Sequence, residues 1–200
     1  AYLLGAVLNE AGLPKGVCNL LFGLGSKVGE SIVTHPQIKA ISFTGGTKTG
    51  EKVIVASAPY FKKLSLELGG KNPNIIFEDA PLDQAVEGVI NGIFFNQGHV
   101  CCAGSRLYVQ ESVAKEVIRK LKDRMESLIV GDPLDKNTDI GAINSKQQLA
   151  TIQKYISIGK KEGAEMYESH CRLPNKGFFC RPTLFTNVAQ SNRIAQEEIF

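Results

Sequence analysis

Short apolar runs alternate with amphipathic stretches along much of the chain, and breaks rich in Gly or Pro separate them. This alternation predicts an α/β fold built on an open parallel sheet, because each amphipathic helix must bury one face against a neighbouring strand. The predicted strands are residues 17–22, 38–43, 63–68, 74–77 and 106–110. The predicted helices are residues 2–11, 25–34, 47–56, 82–95 and 146–162, with a further helix capped by Ser112. Residues 169–179 are expected to form an exposed loop.

A turn-rich break at Gly69-Gly70-Lys71-Asn72-Pro73 interrupts the pattern, which restarts after it. We therefore expect two domains, residues 1–69 and residues 70–200. The N-terminus has no initiator Met and no basic stretch, so we interpret it as the interior of a helix and not as a signal peptide.

Composition excludes several classes of protein. The net charge of +3 comes from scattered residues, so we expect no nucleic-acid partner. Apolar runs fall short of the roughly 20 residues that cross a bilayer. The five cysteines include no CxxC pair, so we expect no metal site and a reducing compartment, either the cytoplasm or the mitochondrial matrix.

Two adjacent thiols, Cys101 and Cys102, lie in a Gly-bounded loop between a predicted helix and a predicted strand. A thiolate is a strong nucleophile at neutral pH, and small flanking residues allow a carbonyl to approach. The alternative is that both cysteines are small buried hydrophobic residues. His99 precedes them, but neighbouring side chains on an extended loop point apart, so we interpret it as an exposed loop histidine and not as a base.

Glu67 is the candidate base, because it lies on a period-2 strand beside a Gly-rich turn and a glutamate there can activate water. Its alternative is a solvated strand residue. Two further Gly-rich turns, residues 23–29 and 43–47, place helix N-termini where a pyrophosphate could bind. Their spacing differs from GxGxxG.

Taken together, these segments resemble the aldehyde dehydrogenase superfamily along the whole chain. The resemblance rests on residues 95–98 leading into 101–106, on residues 66–73, and on the final Gln-Glu-Glu-Ile-Phe. A weaker resemblance, in residues 96–106, 131–135 and 141–143, points to the family-sixteen members. The fold implied is part of a Rossmann-like cofactor domain (residues 1–69) followed by part of an α/β catalytic domain (residues 70–200).

The resemblance implies that Cys101 is the nucleophile, Cys102 its neighbour, and Glu67 the base. It implies oxidation of a small-molecule aldehyde with NAD, or with NADP, through a thiohemiacetal and a thioester. A homodimer or homotetramer is implied as well. The residues implied to contact the cofactor are Gly25, Gly29, Thr44, Gly46, Leu68, Gly69, Glu198 and Phe200.

The chain departs from the family pattern at Gly46, where many members have a serine whose hydroxyl contacts the pyrophosphate. The loss of that contact is worth about 0.5 to 1.5 kcal/mol. The family's segment that carries the oxyanion asparagine is also missing, so we expect the isolated chain to be inactive. Two other functions remain open, a catalytically silent scaffold domain and an acylating dehydrogenase that transfers the acyl group to coenzyme A.

Overall fold

The computed structural model describes residues 2–200, which divide into two compact units. The first unit ends at Leu68 and the second begins at Gly69. The division falls at the start of the Gly-rich break in the sequence.

The first unit is built around two parallel strands. Strand β1 pairs with β2 in a register that places Thr44 beside Glu67 and Gly45 beside Leu68. Along β2, Leu64, Leu66 and Leu68 are half-buried while the residues between them are exposed, as the period-2 pattern predicts. A short π-helical turn, Gly25–Gly29, leads into the second helix. The helices and strands of this unit are α1 (Tyr2–Glu10), α2 (Glu30–Thr34), β1 (Ala40–Gly45), α3 (Thr47–Ser57) and β2 (Lys63–Leu68).

Helix α3 packs closely on the end of β2 through a glycine. Gly50 is buried, and a Cβ atom added to it would lie 2.6 Å from Leu68 Cδ2. Because that separation is far inside van der Waals contact, any larger residue would displace Leu68. Gly50 therefore leaves room for the side chain of Leu68, which directly follows Glu67.

The second unit begins with two parallel strands covered by two helices. Residues of β3, α4 and α5 form its apolar core, in which Val117 is fully buried and Leu121 and Met125 are 2% and 1% exposed. Helix α5 carries these three residues at helical spacing, as the sequence predicts. The elements are β3 (Pro73–Ile76), α4 (Leu82–Phe94), β4 (Arg106–Val109) and α5 (Glu111–Glu126).

An antiparallel hairpin follows in the same unit. Strand β5 pairs with β6 in a register that joins Glu165 to Thr186 and Glu168 to Thr183. The sequence pattern predicted parallel strands alone, so this pair is a correction. The elements are α6 (Lys146–Lys161), β5 (Glu165–Glu168), β6 (Thr183–Thr186) and α7 (Arg193–Gln196). Among the helices of residues 2–200, none has the length and hydropathy of a membrane span.

The predicted strand at residues 17–22 is wrong. These residues are irregular, and Val17, Leu21 and Phe22 are each more than 60% exposed. A strand needs a partner for its backbone groups, and no segment that the structure describes pairs with this one. The strand predicted at 38–43 lies two residues later, since Ile38 N–H donates to His35 O in a turn.

One local prediction in the second unit is wrong, and another holds only in part. Ser112 does not cap α5, because its hydroxyl donates to the Glu78 carboxylate and Gln110 occupies the cap position. Residues 169–179 are irregular as predicted, but the segment is not simply exposed. Ser169 is 1% exposed, and Cys171 and Phe179 pack against the core.

Because Gly50 packs against Leu68, we expect glycine-to-alanine substitutions at two helical positions to change the free energy of unfolding differently. Gly88→Ala, in α4, meets open space and should stabilise the fold by about 0.5 to 1 kcal/mol through helix propensity. Gly50→Ala should lose that gain or destabilise, because its methyl group displaces Leu68. Urea unfolding of both variants measures the difference. Equal stabilisation by the two alanines would contradict the close packing.

Candidate active site

The loop that carries Cys101 begins with an unusual backbone. A 3₁₀ turn at Phe95–Gly98 follows α4 directly, and Asn96, Gln97 and Gly98 have φ values of 50°, 59° and 76°. Left-handed conformations are costly for Gln, so surrounding contacts must hold the loop. Gln97 Oε1 accepts a hydrogen bond of 3.1 Å from Gly141 N–H, and Asn96 Nδ2 donates to His99 O.

Cys101 and Cys102 occupy the middle of the next turn. Ala103 N–H donates to Val100 O at 3.0 Å and closes this turn, and both thiols are free and exposed. Asn72 Nδ2 donates to Cys101 O at 3.2 Å, and Gly104 N–H donates to Gly92 O. Within residues 2–200, Cys101 N–H donates no hydrogen bond. The loop therefore presents a thiol and an available backbone donor on a fixed turn.

His99 differs from the exposed histidine that the sequence predicted. Its ring stacks on Phe200 with centroids 5.2 Å apart and planes within 1° of parallel. Its Nε2 is buried without a hydrogen-bond partner among the described residues, and burial lowers the pKa of His99. The ring is half-buried because Phe200 covers it, a contact between residues 101 positions apart that local sequence does not reveal.

Glu198 lies directly against Gly69. A Cβ atom at Gly69 would fall 1.8 Å from Glu198 Oε2, so a larger residue there would require the carboxylate to move. Gly69 and Glu198 are both predicted site residues, and the structure brings them into contact. Phe200, predicted with them, lies on His99 in the loop that leads to Cys101.

Lys71 lies in the Gly-rich break, where the sequence predicts no role for it, and the structure places it beside these residues. Burial and, to a smaller extent, the charge of nearby Arg106 lower the pKa of Lys71 to about 8, and Glu198 opposes this change. Arg106 has a buried Nε without a partner in the described part of the chain. A groove of about 680 Å³ within the second unit is lined by all three side chains. The motif around Lys71 contains no signal for this burial, which arises from residues distant in sequence.

The remaining predicted residues lie in the first unit. Thr44 and Glu67 are neighbours across the β1–β2 pair, and both side chains are exposed. Gly46 immediately precedes α3 and has no side chain to cap it, while Gly25 and Gly29 bound the π-helical turn. Apart from its chain neighbours and the backbone of its own helix, no described atom lies within 4 Å of a Cβ built on Gly25, Gly29 or Gly46. The space beside these three glycines is therefore clear of other side chains.

Comparisons with known proteins identify the family of the chain. A model of the aldehyde dehydrogenase family matches residues 1–200. The chain belongs to the aldehyde dehydrogenase family. The predicted superfamily and its α/β fold are thereby confirmed.

Individual family members are similar along the whole chain. It is 47% identical to retinal dehydrogenase 2 of Taeniopygia guttata, covering 100% of this chain and 39% of that protein. It is 44% identical to an aldehyde dehydrogenase of Davidiella tassiana, over 98% of this chain and 40% of that one. A crystal structure of Staphylococcus aureus betaine aldehyde dehydrogenase, in complex with NAD+, matches with a TM-score of 0.94 and 38% identity. That match covers 98% of this chain and 40% of the other.

This aldehyde dehydrogenase chain thus spans about 40% of the length of the curated relatives that it matches. Among residues 2–200, no group of three or more His, Cys, Asp or Glu side chains is arranged to hold a metal ion.

We expect the hydrogen bond from Gly141 N–H to Gln97 Oε1 to stabilise the loop that carries Cys101. Gln97→Ala leaves the Gly141 N–H without this acceptor and should lower the free energy of unfolding by about 1 to 3 kcal/mol. Gln147→Ala, at an exposed position of α6, is the matched control and should change it by less than about 0.5 kcal/mol. Urea unfolding followed by circular dichroism tests the pair, and indistinguishable midpoints would show that the bond does not support the loop.

Proposed function

We propose that the protein oxidises an aldehyde to the carboxylic acid with NAD+ or NADP+, with Cys101 as the nucleophile and Glu67 as the general base. The observation that carries the proposal is the turn around Cys101. It exposes the thiol, leaves the Cys101 N–H available and is fixed by Asn72. Family membership supports the same reaction, and relatives named retinal and betaine aldehyde dehydrogenases are similar over this whole region.

Cys101 performs the first bond-forming step. Its thiolate adds to the aldehyde carbon and forms a tetrahedral thiohemiacetal, whose oxygen carries the developing negative charge. The Cys101 N–H, which has no other acceptor in the described chain, is available to that oxygen. Loss of hydride from the thiohemiacetal leaves a thioester on Cys101.

Glu67 performs the second step in the proposed reaction. Its carboxylate takes a proton from water, and the resulting nucleophile hydrolyses the thioester to the acid. Glu67 lies on the exposed face of β2 beside Thr44, so its carboxylate is free of protein packing in the first unit. Release of the acid restores the Cys101 thiol.

The residues proposed to bind the nicotinamide cofactor fit an extended anionic ligand. Gly25, Gly29 and Gly46 leave open space at two helix starts, where backbone N–H groups favour phosphate. Thr44 and Leu68 lie at the ends of β1 and β2 in the same unit. When bound, the cofactor supplies the hydride acceptor.

The second unit contributes the other proposed cofactor residues. Gly69 admits the Glu198 carboxylate, which can accept hydrogen bonds from ribose hydroxyl groups, and Phe200 offers an aromatic face. We infer that residues 1–69 belong to the cofactor-binding domain and residues 70–200 to the catalytic domain. Gly46 itself offers only a backbone N–H at the start of α3, because it lacks the serine hydroxyl.

Two serine variants of the full-length protein test which of the two adjacent cysteines is the nucleophile. Cys101→Ser should lower NADH formation from aldehydes by at least about 1,000-fold, because the alkoxide is not formed at neutral pH. Cys102→Ser, one residue away and also exposed, is the matched control and should retain activity within a few-fold. Loss of activity in Cys102→Ser alone would overturn the assignment. A parent protein inactive with aliphatic and aromatic aldehydes would favour the scaffold function.

Glu67→Gln separates the two chemical steps. We expect a rapid burst of NADH followed by steady turnover about 100 to 10,000-fold slower, because the thioester forms but water is not activated. Stopped-flow absorbance with a saturating aldehyde measures both phases. Glu51→Gln, at an exposed position of α3, is the control. Steady turnover unchanged in Glu67→Gln would exclude this base. Acyl-coenzyme A production by the parent would identify the acylating reaction instead.

A further inference from the structure

Two cysteines outside the catalytic loop lie on the two arms of the β5–β6 hairpin, Cys171 after β5 and Cys180 before β6. The register pairs Glu168 with Thr183, and Ser169 N–H extends the ladder by donating to Pro182 O at 3.0 Å. The ladder of backbone hydrogen bonds ends here, since Pro182 has no N–H and Cys171 N–H donates to Ser169 Oγ. Extrapolated by two further residues, the register predicts that Cys171 faces Cys180.

The spacing suits a covalent bond between the two residues. Facing residues of an antiparallel pair have Cα atoms about 4.5 to 5.5 Å apart. Disulfides form when this separation is about 4.4 to 6.8 Å. Extrapolated to Cys171 and Cys180, the register predicts a separation within the range for a disulfide.

Side-chain contacts confirm that the two segments stay together beyond the regular strands. Arg181 Nε donates to Cys171 O at 3.1 Å, so the residue next to Cys180 contacts the backbone of Cys171. The guanidinium of Arg181 also lies 3.4 Å from the Glu168 carboxylate. Burial raises the pKa of Cys180, and Glu168 and the Cys171 thiol raise it further.

The loop between the cysteines is anchored on both sides. Cys171 and Phe179 pack against the apolar core, and Phe178 O accepts a hydrogen bond of 2.7 Å from Ile143 N–H. Both thiols are partly buried and free. Bringing the two thiols together therefore costs little conformational entropy, whereas cysteines on separate mobile loops would lose more.

We propose that Cys171 and Cys180 are a modification site that forms a reversible disulfide by exchange with a low-molecular-weight disulfide such as oxidised glutathione. One cysteine thiolate attacks the small disulfide, breaks its S–S bond and releases one small thiol. The second thiolate attacks the resulting mixed disulfide, forms the Cys171–Cys180 bond and releases the second small thiol. Two protein thiols are oxidised, the small disulfide is reduced, and two protons pass to the released thiolates.

Peptide mapping of the full-length protein tests this site. After incubation with excess oxidised glutathione, free thiols are alkylated and the protein is digested with trypsin. Cleavage after Arg172 and Lys176 separates the two cysteines into residues 162–172 and residues 177–193, because the Arg181–Pro182 bond resists trypsin. We expect a linked pair with a mass about 2 Da below the sum of the reduced peptides, which dithiothreitol separates.

Variants identify the partners of the bond. Cys180→Ser should abolish the linked pair and leave a mixed disulfide on Cys171, whereas Cys18→Ser, at an exposed position of the first unit, should leave the linked pair unchanged. The map of the parent protein is decisive even if Cys180→Ser fails to fold. Separate glutathione adducts on the two peptides, or a bond from Cys180 to Cys101 or Cys102, would overturn the proposal.

Discussion

The packing of α4 and α5 on the β3–β4 pair is the interaction on which the second unit depends. Val117, Leu121 and Met125 on one face of α5 meet Ile76 and Val89 in a continuous apolar core. Two ion pairs, Lys120 with Asp83 and Arg124 with Glu87, also join the helices. Their carboxylates are at least half exposed, and such pairs contribute little, so apolar burial carries the stability.

This core fixes both ends of the candidate active-site loop. Helix α4 leads into the loop at Phe95, and β4 begins just after it at Arg106. Between these ends, the left-handed conformations of Asn96 and Gln97 reverse the chain, and hydrogen bonds to Gly141 and from Asn72 hold it. A strained backbone conformation persists only when many surrounding contacts hold it in place. The consequence is an exposed thiol on a rigid support.

In each unit, a glycine allows a distant side chain to pack closely against the backbone. Gly50 allows α3 to touch Leu68, and Gly69 allows the Glu198 carboxylate to occupy the space where a side chain would start. Both contacts involve residues next to, or within, the candidate site. Lys71 shows the electrostatic result of such crowding, because burial beside Arg106 lowers its pKa to about 8 even with Glu198 nearby.

The sequence by itself determined the α/β pattern, the period-2 strand that carries Glu67 and the loop that carries Cys101, because these depend on local periodicity and composition. The family motif determined the candidate residues. Tertiary structure alone decided that His99 stacks on Phe200, that residues 17–22 form no strand and that Ser169 pairs with Pro182 beyond the hairpin strands. Each of these depends on which distant segment supplies a partner, and pairing across the fold leaves no signal in the local order of residues.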